Sequence, residues 1–277
     1  MKFKTIAIIG LGLMGASLAA KVRRKFPRAR VIGISRSHQS LKLALRRKWI
    51  HEASSDLPQG VRRADLIILA TPVDIFPKIL KALERSAKPG AIVTDVGSVK
   101  GGLGRLAGRL RKIRFVGAHP MVGSHRRGIG AADTRLYDHG LTFITKSGAD
   151  PGAYRAVKAF WKKISPRVVE ISPQAHDRIV AEISHLPHAV AVCLMLAASP
   201  QSVRFASSGF ADTTRVAAGH PSVWLPIFTA NARAITKTLS DFEKNFRRFK
   251  NALRRGSHGT LSKMLGKAHQ KRAEISL

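Results

Sequence analysis

The stretch Ile6-Ala7-Ile8-Ile9-Gly10-Leu11-Gly12-Leu13-Met14-Gly15-Ala16-Ser17-Leu18-Ala19-Ala20 begins as an apolar run, passes through three glycines and continues in small and apolar residues. That order predicts a strand, a tight turn and a helix. The Gly-x-Gly-x-x-Gly spacing suits a dinucleotide pyrophosphate: Gly10 can make the turn, Gly12 lets backbone N–H groups approach the phosphates, and Gly15 lets the helix pack close to the strand. The positive end of the helix dipole then faces the anion. Lys2, Lys4 and the ending Ala19-Ala20 also imitate a secretory signal peptide, although three glycines would break its apolar helix.

Working outward, short apolar runs alternate with amphipathic segments. Strands are predicted at 30–34, 66–70, 90–94 and 114–117, and helices at 39–47, 73–86 and 100–111. This alternation implies an α/β fold with an N-terminal Rossmann-type doubly wound parallel sheet, whose ligands lie beyond the C-terminal ends of the strands. Chemistry is therefore expected after residues 9, 34, 70, 94 and 117. From residue 151 the pattern changes to one helix at 153–163, a strand at 168–171 and helical periodicity from Pro173 onward. The expected division is a dinucleotide-binding domain over 1–150 and an all-helical substrate and dimerisation domain over 151–277.

The chain has 277 residues, 44% of them hydrophobic, enough for two domains with real cores. No stretch reads as a membrane span. The single cysteine, Cys193, excludes an intrachain disulfide, and its apolar surroundings suggest a buried structural thiol in a cytoplasmic protein. Lys and Arg number 49 against 16 Asp and Glu, a formal charge of +33 spread over both halves. The densest run is 242–272, where Lys244, Arg247, Arg248, Lys250, Arg254, Arg255, Lys263, Lys267, Lys271 and Arg272 face one acid, Glu243. It reads either as a solvated basic helix pair or as a non-specific polyanion contact, and few aromatics interleave to stack bases.

After the second strand, where an acid would meet the 2′-OH of NAD, the chain has Ser35-Arg36-Ser37, and no acid occurs between Gly15 and Glu52. A hydroxyl followed by a guanidinium suits a 2′-phosphate, so NADP is expected, with NAD as the alternative. Leu13, Met14, Thr71 and Pro72 complete the expected cofactor-lining set with Gly10, Gly12 and Gly15.

Asp95-Val96-Gly97-Ser98-Val99-Lys100 and Ala118-His119-Pro120-Met121-Val122-Gly123 both fall at strand ends on the expected catalytic rim. A histidine on such a loop is a better base candidate than a core histidine. With these two motifs, Ser184-His185-Leu186-Pro187-His188 and Ser208-Gly209-Phe210-Ala211-Asp212-Thr213-Thr214-Arg215, the chain resembles the prephenate and arogenate dehydrogenases of tyrosine biosynthesis from Ile6 to about Arg233. The resemblance implies oxidative decarboxylation of a cyclohexadienol: hydride leaves C4 for a nicotinamide, CO2 leaves C1 and the ring becomes aromatic. It also implies His119 as the base, with Ser98 hydrogen-bonding the substrate hydroxyl and the imidazole to fix its tautomer. Arg215 would clamp a substrate carboxylate, held by Asp212, and His188 is similar to the family's second substrate-side histidine.

His185 lies three residues before His188 and is either a substrate contact or a satisfied interior histidine; the pair lacks an acid or cysteine to complete a metal site, so no metal is expected. Where the family often has a glutamate after its H-P-M-x-G loop, this chain has His125, which would make carboxylate binding by Arg215 depend on pH. The expected substrate is prephenate, with arogenate as the alternative. Two other readings are a β-hydroxyacid-type reductase, which lacks the paired H-P-M-x-G and D-T-T-R segments, and a basic nucleic-acid-binding protein on a dehydrogenase scaffold. The apolar helical segments 189–198 and 223–235 imply a homodimer, opposed by repulsion between two strongly cationic chains.

Overall fold

The computed structural model describes residues 3–123, 126–146 and 150–275. Strands β1 (Thr5–Ile9), β2 (Arg30–Ile34), β3 (Glu52–Ser54), β4 (Leu66–Leu69), β5 (Ile92–Asp95) and β6 (Arg114–Phe115) form one sheet in the order β3-β2-β1-β4-β5-β6. Every pairing in it is parallel. Strand order reverses between β1 and β4, so the crevice beyond their carboxyl ends is the place this fold offers a ligand. Both strands are buried on both faces, which is why they read as continuous apolar runs with no alternation.

The helices of this layer are α1 (Leu13–Lys25), α2 (His38–Arg46), α3 (Leu57–Val61), α4 (Phe76–Ser86) and α5 (Gly101–Ala107). Pro77 enters α4 in its first turn, where a missing N–H costs nothing. A second, three-stranded sheet joins β7 (Ala118–Pro120), β8 (Leu141–Thr145) and β9 (Arg167–Ile171), antiparallel between β7 and β8 and parallel between β8 and β9. The predicted strand at 114–117 thus ends early, and the chain leaves the first sheet at Val116 to start the second.

Helix α6 (Pro151–Ile164) buries Val157, Phe160 and Trp161 in the same core as Ile6, Ile8 and Leu18. The composition changes at residue 151 but the packing does not. One compact unit runs through Asn231, and Ala232 onward forms a second.

The remainder of the first unit is helical. A continuous helix comprises α7 (Pro173–Val180), a π-turn (Ala181–His185) and α8 (Leu186–Ala197). It is followed by α9 (Pro200–Val203), α10 (Ser208–Thr214), a 3₁₀ turn (Arg215–Ala218) and α11 (Pro221–Ala230). Two expectations fail here. Pro173–Ala197 is 25 residues long with a mean hydropathy of 1.7, so by length and composition a stretch does reach membrane-span dimensions, although its His176, Asp177 and His185 are buried and hydrogen-bonded inside the protein. Cys193 is exposed, because Ala191 takes the inward face of α8 and a residue two positions later points about 200° away.

In the second unit, α12 (Ala232–Arg254) and α13 (His258–Ala273) form a hairpin. Its turn is a Schellman motif: Gly256 takes φ 59°, its N–H donates to Leu253 O, and Ser257 N–H donates to Ala252 O.

Candidate active site

At the β1 to α1 turn, Gly10 has φ 96°, and a Cβ there would lie 2.6 Å from Ala70 O. A Cβ on Gly15 would sit 1.8 Å from Gly10 O. These two glycines let β1, β4 and α1 close on one another. Gly12 differs, since a Cβ there would meet nothing within 4 Å. It faces open space, and as the N-cap of α1 it offers no side chain to the first helical amides. Thr71 adds a buried hydroxyl with no partner among the described residues, beside Gly10. An uncapped helix end, an open approach and an unmet hydroxyl fit a dinucleotide pyrophosphate.

Tyr137 donates to Met14 O at 3.0 Å and Asp133 N–H to Ser17 Oγ at 2.9 Å, fastening the segment after the second-sheet entry onto α1. At the β2 end, Ser37 caps α2 by accepting from Ser40 N–H at 3.2 Å and donates its own N–H to Ser35 Oγ at 3.1 Å. Arg36 is exposed between them.

The β5 end is tied to β7 by one buried carboxylate. Asp95 accepts from Gly97 N–H and Ala118 N–H, each at 2.9 Å, and pairs with the Lys100 ammonium, which also donates to Gly97 O at 2.8 Å. Burial pushes the Asp95 carboxyl up and the Lys100 ammonium down, each opposed by the other's charge. The turn carrying Ser98 is thereby fixed against the strand carrying His119.

His119 is buried, and its Nδ1 lies 2.9 Å from His176 Nε2. His176 Nδ1 lies 2.8 Å from Asp177 Oδ1. The same carboxylate caps α5, accepting from Lys100 N–H at 2.9 Å and Gly101 N–H at 2.7 Å. This chain sets every proton. A carboxylate can only accept, so His176 carries its proton on Nδ1 and accepts at Nε2; His119 then carries its proton on Nδ1 and keeps a lone pair on Nε2. Burial is the main cause that holds His119 well below the usual histidine range, with His176, Lys100 and His185 adding to it. His176 is lowered by burial too, against the pull of Asp177.

The expected hydrogen bond from Ser98 to the imidazole is absent among the described residues. Ser98 sits in the turn, but His176 takes Nδ1 and fixes the tautomer. Neither His176 nor Asp177 stood out in the sequence, where the available signal was an adjacent His-Asp pair in the first turns of a predicted helix.

The π-turn explains how one helix serves the site at both ends. In a regular α-helix, His188 would lie about 120° round from His176 and His185 about 180°; one residue absorbed by the π-turn brings them to about 20° and 80°. His188 stacks on Trp224 with ring centroids 3.6 Å apart, Gly219 allows the backbone against that pair, and His188 Nδ1 is buried with no partner among the described residues. His185 meets the same indole edge-on and bonds Asn231. Burial lowers both histidines, His185 to about 4.

Arg215 stands exposed at the start of the 3₁₀ turn, and no ion pair joins it to the exposed Asp212 among the described residues. The structure therefore does not show Asp212 holding Arg215. The start of α11, after the 3₁₀ turn, is reached by another cation, since Arg127 donates to Ser222 Oγ at 3.0 Å. His125 lies outside the described residues.

Two family models match in tandem: "Prephenate dehydrogenase, nucleotide-binding domain" over residues 18–170 and "Prephenate dehydrogenase, dimerization domain" over 172–267. This chain belongs to the prephenate dehydrogenase family. A Bacillus subtilis prephenate dehydrogenase is 35% identical over 82% of this chain and 64% of its own length, so the chain spans somewhat less than two thirds of that relative. A Zymomonas mobilis cyclohexadienyl dehydrogenase is 30% identical over 91% of this chain and 89% of its own. Among solved structures, prephenate dehydrogenase from A. aeolicus in complex with hydroxyphenyl propionate and NAD+ superposes with a TM-score of 0.92 at 31% identity, covering 100% of this chain and 99% of that one. The family models divide at residue 171, close to the end of β9, and the α6–β9 segment falls with the nucleotide-binding part as its packing does.

Proposed function

We propose that this protein is a prephenate dehydrogenase that converts prephenate to 4-hydroxyphenylpyruvate, and that the His119–His176–Asp177 chain supplies its base. The observation that carries this reading is the proton order of that chain, which leaves His119 neutral with an acceptor at Nε2. A bound nicotinamide supplies the acceptor for the C4 hydride. His119 Nε2 takes the C4 hydroxyl proton as the carbonyl forms; the bond from C1 to its carboxylate breaks, its electron pair passes through the ring to the C4 oxygen, CO2 leaves, and the imidazolium returns its proton to that oxygen to give the phenol. His176 and Asp177 stabilise the imidazolium so formed. Ser98 orients the C4 hydroxyl from the fixed turn, and His188, His185 and Arg215 receive substrate oxygens, with Asp212 beside Arg215 on the same segment. His125, in the segment after the H-P-M-x-G loop, belongs with these substrate-side groups.

Residues Gly10, Gly12, Leu13, Met14, Gly15, Thr71 and Pro72 hold the dinucleotide in this reading. Ser35, Arg36 and Ser37 favour the 2′-phosphate of NADP over NAD, supported by the lack of any acid at the β2 end. The apolar side chains that α8 and α11 leave outside, Leu196 at 81% exposure and Leu225 at 68%, support a homodimer.

The test is nicotinamide reduction followed by absorbance with prephenate and with arogenate, each with NADP and with NAD. Turnover of prephenate is expected, faster with NADP, and Arg36→Ala should cut the NADP preference about tenfold, the value of one charged phosphate contact. No turnover of either substrate by folded, cofactor-binding protein would overturn the reading.

A further inference from the structure

Asn231 ends α11 and is buried at 6% exposure, yet no motif contains it. Its Nδ2 donates to Asp177 O at 2.8 Å and lies 3.1 Å from His185 Nδ1. The first contact settles which way round the amide sits, because a peptide carbonyl only accepts. The same nitrogen then offers its second proton to His185 Nδ1. That ring nitrogen must accept, and the His185 proton is left on Nε2. A single amide therefore touches both histidine systems: the backbone of the residue whose carboxylate orients His176 and His119, and the ring at the far end of the π-turn.

We propose that Asn231 is a positioning residue, holding His185 as a neutral Nε2–H donor towards a substrate oxygen and tying that donor to the His119–His176–Asp177 chain. The proposal rests on the dehydrogenase reading for the identity of the substrate. The charged and titratable groups facing His185 among the described residues are Asp177 and His176 from α7, His188 from α8 and His119 from β7, while α11 presents Trp224 and Asn231. Burial keeps the ring neutral through the pH range in which a free histidine titrates. A neutral donor can bind an anionic oxygen with the same strength from pH 5 to 8, which an imidazolium with an ordinary pKa could not.

The experiment combines ring ¹⁵N NMR of histidine-labelled protein with KM for prephenate against pH, in wild type, Asn231→Ala and Asn231→Asp. His185→Gln assigns the His185 ring signals by their disappearance. In wild type, His185 should show an unprotonated Nδ1 and a protonated Nε2 without change between pH 5 and 8. Asn231→Asp turns the donor into an acceptor, so His185 should move its proton to Nδ1 or become charged. KM should then acquire a new titration and rise about tenfold at pH 8, the cost of an unmet buried hydrogen bond. Asn231→Ala removes both contacts without reversing either, and answers the question if the aspartate variant fails to fold; its His185 ring should sample both tautomers. A ring that stays Nε2–H in the alanine variant with an unmoved KM profile would overturn the proposal, as would a wild-type ring protonated on Nδ1. Wild-type protein that shows the stated ring signals but never turns over prephenate would instead defeat the dehydrogenase reading and leave the hold of Asn231 on His185 standing.

Discussion

In the proposed reaction His119 is the base, and its environment makes two predictions. A group held below the ordinary histidine range stays deprotonated at lower pH, so the acid limb of kcat/KM should fall below pH 6.5, the unperturbed value, and not at it. A pH–rate profile with its acid limb at or above 6.5 would contradict the burial argument. If His119 is that base, His119→Asn should lower kcat by about 10²–10⁴-fold with a smaller effect on KM. Asp177→Asn should lower kcat by about 10²-fold, because an amide no longer forces the proton onto His176 Nδ1. Steady-state kcat and KM measured separately distinguish these effects from a loss of binding. His119 was legible in the sequence from its position after a strand. The partner that fixes its tautomer was not, because Ser98 is near in sequence and His176 is near only in space.

At the scale of elements, the first turn offers a sharp contrast. Gly15→Ala forces a Cβ to 1.8 Å from Gly10 O, so α1 must separate from β1 and the thermal midpoint should drop by several degrees. Gly12→Ala meets nothing in the protein, so the fold should be unchanged while dinucleotide affinity falls at least tenfold. Thermal unfolding without ligand, set beside cofactor titration by fluorescence, separates the two. Parallel strands β1, β2, β4 and β5 were read from the sequence because burial on both faces leaves continuous apolar runs; β3, only partly buried over Glu52–Ser54, left no such run and was not read. Nor was strand β8, since Leu141–Thr145 gains its place from pairing with β7 and β9, strands that lie apart from it in the chain. The π-turn had no sequence signal either; it appears where the helix must aim His176 and His188 the same way.

For the whole molecule, charge and buried histidines set the response to solution conditions. His119, His176, His185 and His188 all have lowered folded values, so each contributes stability that is complete above about pH 6.5. As pH falls below 6.5 the unfolded chain takes up protons that the folded one refuses. The thermal midpoint should therefore fall steadily from pH 6.5 towards 4, the value reached by His185. A flat midpoint over that interval, measured at constant ionic strength, would mean that these rings protonate without unfolding. The formal charge of +33 opposes association of two chains, and salt shortens its reach from about 30 Å at 0.01 M to about 10 Å at 0.1 M. Sedimentation should show the proposed dimer strengthening across that range, and Leu196→Lys should weaken it at every salt concentration.

The sequence alone determined the central parallel strands, the glycine turn, the family and the candidate base, because each of these depends on local order: apolar runs, glycine spacing and motifs at strand ends. Tertiary structure decided which histidine carries which proton. It also decided that α6 packs with the nucleotide-binding core despite the change in composition at residue 151, and that Cys193 faces outward. These outcomes depend on contacts between residues far apart in the chain, such as His119 with His176 and Asp177 with Asn231, and hydrogen-bond direction exists only once both partners are in place.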